Sequence, residues 1–293
     1  MLDLTSFKNN FKNQKWFHYL CLMRLHRPVG IWLLLWPTLM ALWIAGAGSP
    51  SWRLVLVFTL GTIVMRSAGC VINDFADRKI DGFVQRTKLR PLVINTVTPR
   101  EAIFLFIFLL VLSFWLLGMT NKMTMLLSLI AVLLATSYPF MKRYTYFPQV
   151  VLGAAYGWAI PMAFAAQSEK LPLICWLLFG ASLLWTVAYD TQYAMVDRED
   201  DKKIGIKSTA ILFGKYANAM IALLEVLALA LLIKMGQIAD LGVAFYLSLA
   251  IVTVLGFYQQ WLTRNSEPSA CFRAFLNNQW IGALLFVGVL LGY

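Results

Sequence analysis

Residues 102–119 read AIFLFIFLLVLSFWLLGM. After Thr120, Asn121 and Lys122, residues 123–140 read MTMLLSLIAVLLATSYPF. Neither run holds a charged side chain. A helix needs about 20 mostly apolar residues to cross the hydrocarbon of a bilayer. The pair therefore reads as two spans, 101–119 and 122–140, joined by a very short turn. Comparable stretches lie on both sides, at 29–48, 53–72, 147–166, 171–192, 217–235, 238–259 and 274–292. The pattern predicts an all-α polytopic membrane protein with nine transmembrane helices. Pro148 and Pro161 fall beside or inside the fifth span, where a membrane helix tolerates proline and can kink at it.

Composition agrees. The chain has 293 residues, of which 60% are hydrophobic and 13% charged. An ordinary soluble domain is about 45–50% apolar and about 25% charged, so one soluble core of this size could not hide the excess. A disordered, collagenous or disulfide-rich secreted protein is excluded on the same numbers. Cys21, Cys70, Cys175 and Cys271 are scattered, without a CxxC pair, and read as small buried hydrophobes. His18 and His26 are too few for a histidine metal site. No soluble domain, low-complexity segment or Gly-rich nucleotide loop interrupts the pattern. Residues 1–293 are expected to form a single intramembrane domain.

The net charge of +11 reads as loops facing anionic lipid, not as nucleic-acid binding. Lys8, Lys12, Lys15, Arg24 and Arg27 precede the first span. Arg78, Lys79, Arg86, Lys88, Arg90 and Arg100 follow the second, and Lys142 and Arg143 the fourth. Arg198, Lys202, Lys203, Lys207 and Lys215 follow the sixth, and Arg264 and Arg273 the eighth. Against those twenty, the other side carries only Arg53, Lys122, Lys170 and Lys234. The rule that basic loops stay inside predicts a cytoplasmic N-terminus and a C-terminus on the opposite, periplasmic face. Residues 1–28 are basic, with Phe7, Phe11, Trp16, Phe17 and Leu20 between the charges. They read as an interfacial amphipathic segment and not as a cleaved signal.

The chain has 14 acids, and eight fall in two windows: Asp74, Asp77 and Asp81, then Asp190, Asp197, Glu199, Asp200 and Asp201. Carboxylates at a membrane edge are costly unless paired or bound to a cation. On a helical wheel with Asp74 at zero, Asn73, Asp77 and Asp81 lie at about 260°, 300° and 340°. With Asp190 at zero, Tyr193, Asp197 and Asp201 lie at about 300°, 340° and 20°, and Glu199 at about 180°. Each window thus places its acids on one helical face, with Glu199 set apart. Oxygen ligands without Cys or His suit a hard cation such as Mg²⁺, which prefers one or two carboxylates completed by phosphate and water. The same loops carry Arg78, Lys79, Arg86, Lys88, Arg90, Lys202, Lys203 and Lys207. Acids for metal and bases for phosphate, at a lipid interface, point to a lipid diphosphate.

Asn73-Asp74-Phe75-Ala76-Asp77-Arg78-Lys79-Ile80-Asp81 reads NDxxDxxxD, and Asp190–Asp201 reads DxxYAxxDxxxD. Together they resemble the motifs of the UbiA superfamily of intramembrane aromatic prenyltransferases, with a close match to its bacterial 4-hydroxybenzoate polyprenyltransferase branch. Further matching runs are Leu22–Gly30 (LMRLHRPVG), Arg86-Thr87, Arg90-Pro91-Leu92, Tyr138–Arg143 (YPFMKR), Pro148–Gly153 (PQVVLG) and Lys203–Thr209 (KIGIKST). The resemblance covers about residues 20–290. It implies nine helices around a central cavity, capped on the cytoplasmic side by the two motif loops. It implies transfer of a polyprenyl group to the ring carbon ortho to the hydroxyl of 4-hydroxybenzoate, for ubiquinone biosynthesis, in a bacterial inner membrane.

By the same resemblance Asp77 and Asp81 bind one Mg²⁺, and Asp197 and Asp201 another. Asn73 and Asp74 assist the first site, and Asp190 and Tyr193 the second. Arg143, beside Lys142, meets the aromatic acid or the diphosphate. Arg24, Arg86, Lys203 and Lys207 complete the substrate-binding set. The chain departs from the family at Val93-Ile94-Asn95-Thr96, where small residues ending in glycine are usual. Other branches use naphthoate, homogentisate, haem or a chlorophyll precursor. A cation transporter is the competing class, but it would carry its acids near the bilayer midplane.

Overall fold

The computed structural model describes residues 14–79, 81–83, 87–203 and 205–293. The described residues are helical apart from turns and connections, with no strand among them. The helices are α1 (Lys15–Leu22), α2 (Val29–Ala45), α3 (Trp52–Asp77), α4 (Pro99–Leu117), α5 (Lys122–Tyr144), α6 (Pro148–Gly157) and α7 (Ala159–Ser168). They continue as α8 (Leu173–Lys203), α9 (Thr209–Phe213), α10 (Ala217–Ile238), α11 (Val243–Thr263) and α12 (Pro268–Gly292). Short 3₁₀ turns lie at Asp81–Phe83 and Gly214–Tyr216.

Among the described residues, eight helical stretches are long and apolar enough to cross a membrane. The first of the nine expected spans is instead a shorter apolar helix, α2, of 17 residues. It stops at Ala45 because the chain turns through left-handed backbone at Ala47 and Gly48 (φ +46° and +84°). The apolar excess is partly on the outside. Phe104, Phe108, Phe114 and Trp115 on α4, and Leu126, Leu129 and Leu133 on α5, are exposed, as lipid-facing side chains are.

The chain falls into two compact units, Met1–Ile31 with Leu60–Leu117, and Trp32–Thr59 with Gly118–Tyr293. In the first unit, α4 starts where a capping box dictates. Thr98 Oγ1 accepts from the Glu101 N–H (3.3 Å), Glu101 Oε2 accepts from the Thr98 N–H (2.8 Å), and Pro99 opens the helix. Lys15 of α1 pairs with the same Glu101.

In the second unit, α8 is the central helix, with α6, α7, α9, α10 and α12 packed on it. Gly153 and Gly157 let α6 approach closely. A Cβ on Gly153 would stand 3.0 Å from the Leu183 carbonyl oxygen, and one on Gly157 would stand 3.2 Å from the Phe179 ring. The fifth expected span is broken into α6 and α7 at Gly157–Trp158. The cause is Pro161, which has no N–H to give the Gly157 carbonyl and crowds it. Trp158 is held at the break by Nε1 donating to the Leu127 carbonyl (2.9 Å). The tight turn before α5 is capped by Asn121, whose Oδ1 accepts from the Thr124 N–H (2.9 Å) while its Nδ2 donates to the Ala165 carbonyl (2.7 Å).

Candidate functional site

α3 has 26 residues and α8 has 31, so they run about 39 Å and about 46 Å. Both outlast a hydrocarbon core about 30 Å thick. Asn73, Asp74 and Asp77 fall in the C-terminal excess of α3, and Asp197 and Asp201 in that of α8. In α3 the apolar run ends and Asn73, Asp74 and Asp77 follow in the last turns.

Asp81 does not share that helix. The wheel placed it beside Asp74, but α3 ends at Asp77 and Asp81 lies in the separate 3₁₀ turn Asp81–Phe83. The charged pair Arg78-Lys79 interrupts the apolar period there, and Gly82 favours a turn. Arg78 Nη1 donates back to the Phe75 carbonyl (2.5 Å), occupying one of the last helix acceptors.

A different device brings the acids together. Arg90 Nη1 lies 3.0 Å from Asp74 Oδ1 and 2.7 Å from Asp81 Oδ2. Arg24 Nη2 donates to both oxygens of Asp74, at 3.0 Å each. Asp74, Asp77 and Asp81 are all buried. Burial pushes the Asp81 carboxyl above the ordinary carboxylate range, and the Arg90 guanidinium opposes that shift. Thr87 Oγ1 donates to the Asp81 carbonyl (2.6 Å) and fixes the turn. Arg24 adopts φ +59°, a left-handed setting that costs an ordinary residue of order 1 kcal/mol. Its pairing with the buried Asp74 accompanies that setting. The sequence offers Arg90 only as one of several loop bases; its pairing with Asp74 and Asp81 is seen in the structure alone. Arg86 lies outside the described residues.

The loop carrying Arg90 explains the family departure. Thr96 and Val97 both return N–H groups to the Pro91 carbonyl (3.0 and 3.3 Å), and Asn95 takes φ +58°. Asparagine is one of the few residues besides glycine that enters this region readily. Asn95→Gly is expected to keep the unfolding midpoint in detergent within about 0.5 kcal/mol of the wild type. Asn95→Val should cost about 1–2 kcal/mol, because a β-branched residue resists the left-handed setting. Equal midpoints for the two variants would refute this account.

In α8 the helix is continuous through Lys203, so Asp190, Tyr193, Asp197 and Asp201 stay on one face. Tyr193 packs its ring on Phe275 (centroids 4.6 Å apart) and Phe272 (6.3 Å) of α12. Glu199 is exposed and pairs with Lys202 (3.0 Å), and Asp200 pairs with Lys203 (3.2 Å). Lys203 is thus engaged at the surface. Lys207 joins the loop after α8 to the end of α5. Its N–H donates to the Lys142 carbonyl (2.9 Å) and its Nζ to the Tyr144 carbonyl (3.2 Å). Arg143 is exposed in the last turn of α5.

Among the described residues, no group of three or more His, Cys, Asp or Glu side chains could hold a metal. Paired carboxylates are what the acid windows offer, and this donor set fits a hard cation that completes its shell with phosphate and water. The second unit also contains an apolar cleft lined by α2, α8, α10 and α12, with Met40, Leu178, Tyr189 and Leu285 among its lining residues. Leu178 and Tyr189 are about 16 Å apart along α8.

A model described as the UbiA prenyltransferase family matches residues 34–288. A 4-hydroxybenzoate octaprenyltransferase of Saccharophagus degradans is 57% identical over 272 residues, 93% of this chain and 91% of that protein. The protein of that name from Yersinia pseudotuberculosis is 54% identical over 286 residues, 98% of this chain and 99% of the relative. Among solved structures, the apo form of a UbiA homologue from Aeropyrum pernix matches with a TM-score of 0.78 at 25% identity, covering 89% of this chain and 96% of the homologue. A UbiA homologue from Archaeoglobus fulgidus, solved with GPP and Mg²⁺, shares the fold with a TM-score of 0.72 at 19% identity, covering 94% and 100%.

Proposed function

The chain belongs to the UbiA prenyltransferase family, and from that premise we propose that it is an integral-membrane 4-hydroxybenzoate polyprenyltransferase of ubiquinone biosynthesis. The observation that carries this reading is identity of 54–57% over nearly the whole chain to relatives named for that reaction. The donor is a polyprenyl diphosphate, octaprenyl by the relatives' names. Its carbon–oxygen bond breaks and the electron pair leaves with diphosphate. The ring carbon ortho to the hydroxyl takes up the allylic cation and then loses its proton. The chain binds the lipid donor and the aromatic acid; no nucleic acid enters the reaction.

Asp77 and Asp81 hold one Mg²⁺ in this reading, and Asp197 and Asp201 a second. Mg²⁺ bound there would neutralise charge on the departing diphosphate. The oxygen-only donor sets and their positions beyond the apolar spans support the assignment. Asn73, Asp74, Asp190 and Tyr193 support the ligands, and Arg24, Arg86, Arg90, Lys203 and Lys207 supply positive charge for phosphate. Arg143, with Lys142 beside it, receives the carboxylate of the acceptor, where a planar guanidinium pairs better than an ammonium. The apolar cleft suits the polyprenyl tail and keeps water from it. Membranes containing the protein, offered candidate aromatic acids with a long prenyl diphosphate, should yield the prenylated hydroxybenzoate by mass spectrometry. Product from naphthoate or homogentisate alone would assign another branch, and cation flux without any product would favour a transporter.

The basic bias supports a bacterial inner-membrane location with the N-terminus cytoplasmic and the C-terminus periplasmic. Single cysteines at Lys122 and Lys170 should label from the periplasm in intact cells. Labelling of either only after permeabilisation to the cytoplasm would reverse the orientation.

A further inference from the structure

Thr191 and Gln192 lie inside the acid run of α8, between Asp190 and Tyr193, and both are completely buried. They leave the helix away from the acids. With Asp190 at zero, Asp197 and Asp201 lie within about 20°, Thr191 at about 100°, and Gln192 and Trp185 at about 200° and 220°.

On the side opposite the acids runs a directed amide relay. Trp185 Nε1 donates to Asn278 Oδ1 (2.8 Å), Asn278 Nδ2 to Gln192 Oε1 (3.1 Å), and Gln192 Nε2 to Gln259 Oε1 (2.9 Å). It crosses from α8 to α12, back to α8, and on to α11. Asn278 Nδ2 also reaches the Ala274 carbonyl (2.9 Å), which locks the amide to its own helix. On the remaining flank, Thr191 Oγ1 donates to the Val187 carbonyl (2.6 Å) and lies 2.7 Å from Thr209 Oγ1. The Thr209 N–H donates to Gln149 Oε1 of α6 (3.0 Å). Gln259 and Thr209 are fully buried, and Asn278 and Gln149 nearly so.

Apolar packing alone leaves the rotation of this helix undetermined. Thr186, Val187, Ala188 and Tyr189 are buried in succession, and Thr191, Gln192, Ala194 and Met195 are buried on either side of the half-buried Tyr193. A helix enclosed on nearly every side has no amphipathic stripe to orient it. Buried amides and hydroxyls do orient it, because turning α8 by one residue, about 100°, would strand each of them in hydrocarbon.

We propose that Thr191, Gln192, Asn278, Gln259 and Thr209 are positioning residues that set the rotation of α8 and thereby the bearing of Asp190, Asp197 and Asp201. The inference rests on the reading of those acids as metal and diphosphate ligands. The two grips lie about 100° apart around α8 and come from three other helices, so they fix an angle and not merely a contact.

The test uses full-length protein in lipid nanodiscs, with two variants off α8: Gln259→Met, an apolar residue of similar shape, and Thr209→Val. Mn²⁺ affinity with inorganic diphosphate is read by electron paramagnetic resonance, beside the Mg²⁺ concentration for half-maximal turnover and the thermal midpoint. Each variant should weaken Mn²⁺ binding and raise the Mg²⁺ requirement about tenfold, the scale seen when groups orienting metal ligands are removed. Thr209→Ser, which keeps the hydroxyl, should stay within about twofold of the wild type. If Gln259→Met does not fold because it strands the Gln192 amide, Gln192→Met/Gln259→Met removes both partners and replaces it. Mn²⁺ affinity unchanged while only the thermal midpoint falls would overturn the proposal and leave the prenyltransferase reading standing. A wild type that binds no Mn²⁺ under these conditions would overturn the ligand reading and this inference together.

Discussion

Asp81→Asn and Asp197→Asn are each expected to lower turnover by more than about a hundredfold while the protein stays folded in the membrane. In the proposed reading these carboxylates would hold the Mg²⁺ that neutralises charge developing on diphosphate, and losing such stabilisation costs on that scale. Asn keeps the shape and one oxygen of the carboxylate but loses its charge, so metal affinity should fall more than packing. Asp77→Asn and Asp201→Asn belong with them. Glu199→Gln is the internal contrast, since Glu199 is exposed and pairs with Lys202 and Arg198 at the surface. It should stay within about twofold, because surface ion pairs contribute about 0–1 kcal/mol. The measurement is initial rate at saturating donor and acceptor across a Mg²⁺ titration. A loss at Glu199 as severe as at Asp197 would contradict the helical-face argument. Turnover indifferent to Mg²⁺ in the wild type would remove the metal role.

Asp74→Ala should be the most destabilising single change in the first unit, by about 3–5 kcal/mol. Asp74 is 2% exposed and is bonded by Arg24 and Arg90 at once. Its loss leaves two guanidinium groups facing each other and frees Arg24 from the contact that accompanies its left-handed backbone. Asp74→Asn retains a hydrogen-bond acceptor and should cost roughly half as much. Unfolding in mild detergent, followed by a fluorescent reporter of exposed cysteines, separates the two. If Asp74→Ala unfolds at the wild-type midpoint, the Arg24–Asp74–Arg90 bridge is not structural. Activity should fall with both variants, since Arg90 also holds Asp81.

The two acid windows were legible unequally, and the difference is instructive. In α8 every residue from Leu173 to Lys203 is helical, so a wheel drawn through Asp190, Tyr193, Asp197 and Asp201 describes the real helix. In α3 the helix ends at Asp77, so the wheel misplaced Asp81. The carboxylate returns to Asp74 through Arg90, nine positions beyond Asp81 in the chain, and no helical period contains that contact. The fifth span was foreseen as one helix. Its break at Trp158 follows from Pro161, a residue the sequence showed but whose effect depends on which carbonyl it meets.

Membrane location, helical class, the approximate spans and the acid motifs were determined by the sequence alone. Each depends on local period, composition or residue type, and hydrocarbon admits few backbone arrangements besides helices. The tertiary structure decided which base reaches which acid. Arg90 and Arg24 are 16 and 50 positions from Asp74 in the chain, and only folding puts both within 3.0 Å of its oxygens. It likewise decided the partners of Gln192 and Thr191, on α11, α12 and α9. In an apolar medium the hydrophobic pattern says that a helix is enclosed, and the buried polar pairs say which way it faces.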